Sequence, residues 1–356
     1  MPAQLASLYH TTRSARKIVV VDLGFLGDSV HLIPALVELK RHYPQAELHT
    51  LSAPVGRDVL QLAPCVDRAW GFPLGAPSPP WWRHWSILRE LRRARFDLAF
   101  NFSGADRTIF LTALTGARWR IAHAGGRDHF WKRWLIRNWV PRQNRDVPVF
   151  EQRRGVLAAC GFELQSARFE LEVPAAARAW AEQNVPAGAV HLSVNAASTP
   201  LNEWPLRHSV ALVKQLLAAQ PERPVIASAS AKPREQTRMA ALRAEVGDPR
   251  LRVLPAGLTI AQLAAALQRC RVHVGPDSGV IHLAMALGVP TVSLFRESVG
   301  RAQWQPRGPG HRNETRACAC IGMKNPPCAA AGEARCLAEI SPALVGRLVE
   351  ELLVRA

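Results

Sequence analysis

No stretch of the sequence approaches the ~20 consecutive apolar residues that span a bilayer. The first fifteen residues, MPAQLASLYHTTRSA, also lack the continuous apolar core of a secretion signal. Both absences point to a cytoplasmic protein. Cysteine is sparse, at seven in 356 residues. That excludes a disulfide scaffold for a chain of this length and fits a reducing compartment. No internal repeat or low-complexity tract is visible. Lysine is scarce, since only six of the 45 basic residues are Lys (Lys17, Lys40, Lys132, Lys214, Lys232, Lys324). So strong an arginine bias is as much the mark of a GC-rich genome as of phosphate recognition.

With 48% hydrophobic and 21% charged residues the composition is globular, with enough apolar material for two cores. Lys plus Arg outnumber Asp plus Glu by 45 to 28, giving a formal charge of +17. An isoelectric point near 10.8 calls for an anionic partner, whether nucleic acid, nucleotide or acidic lipid. Division at residue 175 leaves +9 before and +8 after, so no basic tail of the nucleic-acid-tethering kind exists. Residues 83–154, however, hold 16 basic against 6 acidic side chains.

Lys17–Asp22 (KIVVVD) is a β-branched run that ends in a glycine loop, after which Val30, Ile33, Pro34, Leu36, Val37 and Leu39 recur at helical spacing. The unit repeats as Glu47–Leu51 before Val55–Leu62, and as Phe96–Phe102 before Thr108–Leu114. A second series begins at Ala189–Asn195 and continues through Pro224–Ser228, Leu251–Leu254, Val272–Gly275 and Thr291–Phe295. Strands alternating with helices predict an α/β chain of two doubly wound, parallel-sheet domains, 1–173 and 174–356. The proline-bounded segment Pro174–Pro186 reads as the connection between them, and Ser341–Val354 as a final amphipathic helix.

Three stretches carry chemistry. In Gly24-Phe25-Leu26-Gly27-Asp28 the glycines permit a tight turn at the carboxyl end of the first strand, where open α/β sheets place ligands. Asp28 is then either a helix N-cap or a carboxylate that takes a proton from an acceptor hydroxyl. His31, one turn on, either lines the same opening or is an ordinary surface histidine. In Val274–Pro290 a strand ends in a Gly/Pro turn and a helix starts near Ser278 with its positive end toward any nearby phosphate. Asp277 can accept from sugar hydroxyls, and Ser278, Gly279 and His282 can donate to oxyanions; the bland reading is a capped helix with His282 packed one turn in. In Val194–Pro205, the polar loop after the first strand of the second half, Ser198 and Thr199 leave room for a pyrophosphate or simply form a strand-to-helix loop.

Taken together, these stretches resemble glycosyltransferase family 9, the ADP-heptose:lipopolysaccharide heptosyltransferases, over nearly the whole chain. The most specific match is Asp277, Ser278, Gly279, His282, the Ala284 and Ala286 that flank Met285, and Pro290; Leu26, Gly27, Asp28 and Pro34 form the second. The resemblance implies a GT-B fold, two Rossmann-like domains facing a central cleft. The second half would bind a nucleotide-diphosphate heptose and the first a lipid-linked acceptor. It makes Asp28 the candidate general base, with Gly27 and His31 on the acceptor side. Asp277 would hold the heptose; the Ser278 and Gly279 amides and His282 would face the diphosphate; Ser198 and Thr199 would approach it from the opposite loop; and Glu235 would meet the ribose. Where the family often has a Lys two places before the Trp-Pro pair, this chain has Asn202, so leaving-group charge would have to be met by the helix N-terminus, His282, Arg296 or Arg301. The expected chemistry is inverting displacement by an acceptor hydroxyl, with ADP-heptose as donor and no further cofactor. No Asp-x-Asp metal motif is present.

Trp81, Trp82 and Trp85 precede Arg89, Arg92, Arg93 and Arg95, and Trp131, Trp134 and Trp139 are interleaved with Lys132, Arg133, Arg137 and Arg142. The segments suit an anionic headgroup layer, or else pair core tryptophans with a solvated face. The first reading makes the protein a peripheral enzyme of the inner membrane acting on a phosphorylated glycolipid. Cys318, Cys320, Cys328 and Cys336 either bind zinc or an iron–sulfur cluster or are reduced structural thiols. Rival readings are a family member using another nucleotide sugar and a non-catalytic sugar-nucleotide or glycolipid binder. A nucleic-acid binder is disfavoured because no nucleic-acid motif accompanies the charge.

Overall fold

The computed structural model describes residues 5–73, 84–124, 129–144, 146–196, 198–220, 222–323 and 327–355. The chain divides into two compact units, Met1–Glu172 and Val173–Ala356.

In the first unit β1 (Lys17–Asp22), β2 (Glu47–Ser52), β3 (Arg68–Gly71), β4 (Leu98–Asn101), β5 (Trp119–His123) and β6 (Asn138–Val140) form an all-parallel sheet of order β3-β2-β1-β4-β5-β6. Val19 and Val21 on one side of β1 pack with Leu91 and Leu111 from the helices Trp85–Arg93 and Asp106–Leu114. Ile18 and Val20, which point the other way, are equally enclosed. Burial on both faces explains why β1 is a continuous β-branched run without polar alternation.

The second unit repeats the plan with β7 (Ala189–Ser193), β8 (Val225–Ser228), β9 (Leu251–Val253), β10 (Cys270–Pro276), β11 (Thr291–Leu294) and β12 (His311–Glu314). Its order, β12-β11-β10-β7-β8-β9, is that of the first sheet when its strands are counted from β7. In each sheet the direction of winding reverses beside the first strand, at β1/β4 and at β7/β10, the switch points where doubly wound sheets bind ligands. The final helix, Pro342–Arg355, packs on Leu206–Ala219, and its Val345, Val349 and Leu352 belong to this unit's core.

Pro174–Pro186 is not a connection. Residues Ala175–Asn184 form a helix that packs against Ile260–Gln268, with Pro174 at its N-cap. A proline at each end starts and stops a helix as readily as it marks a linker. Among the described residues no helix is long and apolar enough to cross a membrane.

Candidate functional site

The helix Leu26–His42 starts one residue after Phe25, which occupies the N-cap, and Asp28 is its third residue rather than its cap. Asp28 Oδ2 accepts the N–H of Phe25 at 2.9 Å, so the carboxylate does stabilise the helix end, from within the first turn. Its other oxygen lies 3.3 Å from Arg153 Nη2, while Arg153 Nη1 lies 2.8 Å from Asp22 Oδ2 at the end of β1. Asp22 Oδ1 accepts the N–H of Gly24 at 2.9 Å. The loop therefore folds back on two carboxylates clamped by one arginine, and a Cβ on Gly24 would stand 2.3 Å from that of Asp28. Only glycine fits there.

Asp22 and Arg153 are nearly enclosed, but the Asp28 side chain keeps 27% of its surface. It opens on a cavity of about 660 Å³ at the β1/β4 switch point. Leu23, Gly24, Phe102 and Ser103 from the ends of β1 and β4 line it, together with Thr108, His123, Gln143 and Gln152. Arg107 and Arg142 add positive charge to the lining, beside Arg153 and the two carboxylates it holds. Asn101 shapes the β4 end: its Oδ1 accepts from the N–H groups of Ser103 at 3.0 Å and Gly104 at 2.9 Å. A carboxylate at the mouth of an arginine-lined cavity suits deprotonation of a hydroxyl on an anionic ligand.

His31 does not line this cavity. The helix Val149–Ala159 covers that side of Leu26–His42, and the His31 ring is buried there, stacked on Phe150 at 5.9 Å and edge-on to Phe169 at 6.3 Å. Gly27 is likewise buried in the first turn. Arg153 was legible in the sequence only as one more positive charge, 125 residues from the carboxylate it holds.

In the second unit, Ser278 is the N-cap residue of the helix Gly279–Ala286 yet makes no side-chain cap; its Oγ is buried without a hydrogen-bond partner. The serine thus holds the cap position without capping through its side chain. The Asp277 N–H donates to Leu294 O at 3.1 Å, so the turn is stitched to the end of β11. His282 is buried one turn in, its Nε2 3.8 Å from Asp277 Oδ1 and its ring 5.5 Å from Trp304. Two further unsatisfied groups lie close in register. Val274 pairs with Leu192 and Pro276 with Leu294, so continuing the strands brings Asp277 opposite Asn195 and Ser278 opposite Arg296. Both polar atoms of the buried Asn195 side chain lack partners, as does Arg296 Nε. Buried polar groups are nearly always paired, and these three are unpaired at adjoining strand ends. Asn195 went unremarked in the sequence because it reads as the last residue of a strand.

In the loop after β7, Asn202 Nδ2 donates to Ser198 Oγ at 3.1 Å, and Thr199 Oγ1 accepts the Leu201 N–H at 3.3 Å, capping the 3-10 turn Pro200–Asn202. Ala197 lies outside the described residues. The loop is held by Glu203, which accepts the Ala196 N–H at 3.0 Å and two hydrogen bonds from Arg234 at 2.9 and 2.6 Å. The Trp204 indole donates to Ile340 O at 3.1 Å. Glu235 is buried and accepts the Ser230 N–H at 3.0 Å, so one of its oxygens shapes the loop after β8. Arg301 donates to Glu297 at 3.0 Å, whereas Arg296 Nε is buried without a partner.

The basic region separates by role. Arg120, Lys132, Arg153 and Arg154 are spent inside the fold, on carbonyls or carboxylates. Arg89, Arg92, Arg93, Arg95, Arg107, Arg118, Arg133, Arg137 and Arg142 are exposed. Trp131 and Trp139 pack against a small core of Ile109, Ala122 and Ile136, while Trp85 and Trp134 stand out; Trp81 and Trp82 lie outside the described residues. Of the late cysteines, Cys336 is in the core and the other three are half-buried. Burial, then hydrogen bonds to Cys318 and Cys328, push the Cys320 thiol up. Among the described residues, no three His, Cys, Asp or Glu are placed to hold a metal ion.

Residues 84–323 match the sequence model of glycosyltransferase family 9 (heptosyltransferase). Lipopolysaccharide heptosyltransferase 2 of Escherichia coli (strain K12) is 25% identical over 304 residues, 79% of this chain and 83% of that protein. The structure of E. coli ADP-heptose lps heptosyltransferase II is similar at a TM-score of 0.74 and 21% identity, covering 95% of this chain and 99% of that one. The glycosyl transferase family 9 structure from Veillonella parvula DSM 2008 is similar at a TM-score of 0.79 and 18% identity, covering 96% and 98%. The fold is that of these proteins, GT-B.

Proposed function

The chain belongs to glycosyltransferase family 9, the heptosyltransferases, and on that premise we propose that it moves heptose from ADP-heptose to the inner core of lipopolysaccharide on the cytoplasmic leaflet, inverting the anomeric carbon. The observation that carries the acceptor half of this reading is Asp28, held by Phe25 N–H and Arg153 at the mouth of an arginine-lined cavity. The acceptor, an anionic Kdo- or heptose-bearing glycolipid, places a hydroxyl against Asp28. Asp28 takes the proton as the hydroxyl oxygen bonds to the anomeric carbon and the bond from that carbon to the diphosphate breaks.

The donor half rests on the strand ends of the second unit. ADP leaves toward the N-terminus of Gly279–Ala286, where backbone N–H groups and the unpartnered Ser278 hydroxyl face it. Asp277 binds the heptose hydroxyls, Ser198 and Thr199 approach the diphosphate, and Glu235 turns its remaining oxygen to the ribose. Asn202 brings no charge, so Arg296 supplies the cation that the family usually draws from a lysine. The scheme asks for no cofactor besides the donor.

Asp28→Asn tests it. Asn still accepts the Phe25 N–H, so the thermal midpoint should stay within what a loss of about 1 kcal/mol produces. Transfer should fall by about 10²–10⁴-fold, with ADP affinity by calorimetry nearly unchanged. Retained turnover would remove Asp28 from the mechanism.

A further inference from the structure

The helices Asp106–Leu114 and Phe130–Leu135 pack side by side, and a buried lysine fixes their relation. Lys132 Nζ reaches Asp106 Oδ1 at 2.7 Å and donates to Gly104 O at 3.3 Å, which ties the second helix to the first turn of the other. Beneath, Ile109 packs with Ala122 and Ile136, and Trp131 stacks on Phe110 at 4.5 Å. With their inner faces thus committed, the helices still turn large apolar groups outward. Phe110 is 51% exposed, Leu114 48%, Phe130 80% and Trp134 82%. Arg107, Arg118, Arg133 and Arg137, all exposed, lie on or beside the same two helices.

We infer that this face seats the protein on an anionic phospholipid bilayer, Phe130 and Trp134 entering the headgroup layer and the arginines meeting lipid phosphates. Aromatic rings among cations are the pattern of an interfacial surface, where apolar burial and attraction to negative headgroups act together. The charge is complementary to such a surface and to no zwitterionic one. The face also continues into the cavity, because Ala105, Arg107 and Thr108, from the start of Asp106–Leu114, line it. A glycolipid anchored in the same bilayer would meet the Asp28 cavity next to the membrane, so the inference rests on the acceptor reading above and gives it a direction of approach.

Co-sedimentation and tryptophan emission with vesicles of phosphatidylcholine alone, and of phosphatidylcholine mixed equally with phosphatidylglycerol, test it. The protein should bind the mixed vesicles with a blue-shifted emission, bind phosphatidylcholine far more weakly, and dissociate as salt rises. Phe130→Ser with Trp134→Ser should weaken binding about tenfold or more, and Arg133→Gln with Arg137→Gln should lower both affinity and salt dependence. The serine variant should turn over a deacylated, water-soluble acceptor at the normal rate while its KM for the same acceptor in vesicles rises about tenfold, a split that misfolding would not produce. Equal binding to both vesicle types, undiminished binding by the serine variant, or self-association through this face in its place would overturn the inference. If instead the transfer reading is wrong, no acceptor is turned over, yet vesicle binding and its loss in the variants remain.

Discussion

A buried polar atom without a partner costs about 1–3 kcal/mol, and Asn195 carries two of them at the end of β7. A residue that only supported the fold would be replaced by an apolar one at a gain. Asn195→Leu, nearly isosteric, should therefore leave the ligand-free protein as stable or slightly more stable in urea titration. It should weaken ADP-sugar binding about 10–100-fold, as loss of one or two ligand hydrogen bonds implies. A destabilised variant with unchanged affinity would assign Asn195 a structural role. The other residues of the two sites differ in how far the sequence declares them. Asp28, Asp277 and Ser278 stand at strand ends beside glycines, and that local pattern is readable. His31 sits in an equally suggestive place but on the side of its helix that Val149–Ala159 covers, and only tertiary packing decides that.

Among elements, the loop between β7 and Leu206–Ala219 owes much of its shape to Glu203. Glu203 is buried and joins the Ala196 N–H to Arg234, whose guanidinium it holds above its usual range through that hydrogen bond. Removing one partner of a fully buried pair costs about 3–5 kcal/mol. Arg234 keeps about half its side-chain surface in water, so Glu203→Ala should cost about 2–3 kcal/mol. Arg234→Ala leaves the buried Glu203 carboxylate with Arg238 at 3.7 Å as its remaining cation, so it should cost about 1–2 kcal/mol. If the loop presents Ser198 and Thr199 to a diphosphate, the Glu203 variant should also lose donor affinity out of proportion to stability when assayed well below its melting temperature; intact affinity would separate the loop from the donor. Strand legibility follows from burial in the same way. The central β1 and β7 are enclosed on both faces and read as apolar runs, whereas β3, β6 and β12 are edge strands. Their sequences, RAWG, NWV and HRNE, are three or four residues long and each carries a polar residue, too short to show a hydrophobic pattern and, in HRNE, too polar.

At the scale of the whole molecule, the two units share a strand order, and the second carries a buried histidine pair that couples its stability to acid. His191 on β7 and His273 on β10 are register neighbours, their Nδ1 atoms 2.7 Å apart, and His191 Nε2 meets Ser228 Oγ at 2.9 Å. One Nδ1 must lack its proton for that hydrogen bond to exist, so at least one ring is neutral. Burial pushes His191 down to about 3, and burial reinforced by His191 pushes His273 well below the ordinary histidine range. In the unfolded chain both titrate near 6.5. Below that pH the unfolded state binds protons that the folded state refuses. The stability present above about pH 6.5 is therefore lost on acidification at about 1.4 kcal/mol per pH unit for each histidine, until the folded pKa is reached. His208 and His311, lowered chiefly by burial, act in the same direction in this second unit, as does His49, also lowered chiefly by burial, in the first. Calorimetric scans taken from about pH 7.5 to 5.5 should show the transition of the second unit moving down ahead of that of the first, by an amount corresponding to about 3 kcal/mol from the buried pair. Assignment of the transitions follows from ADP, which should raise only the one belonging to the unit that binds it. His191→Gln, which retains a hydrogen-bonding side chain but cannot titrate, should remove about half of the pair's share of that acid dependence. Parallel movement of both transitions would mean that the histidine pair does not govern the acid response.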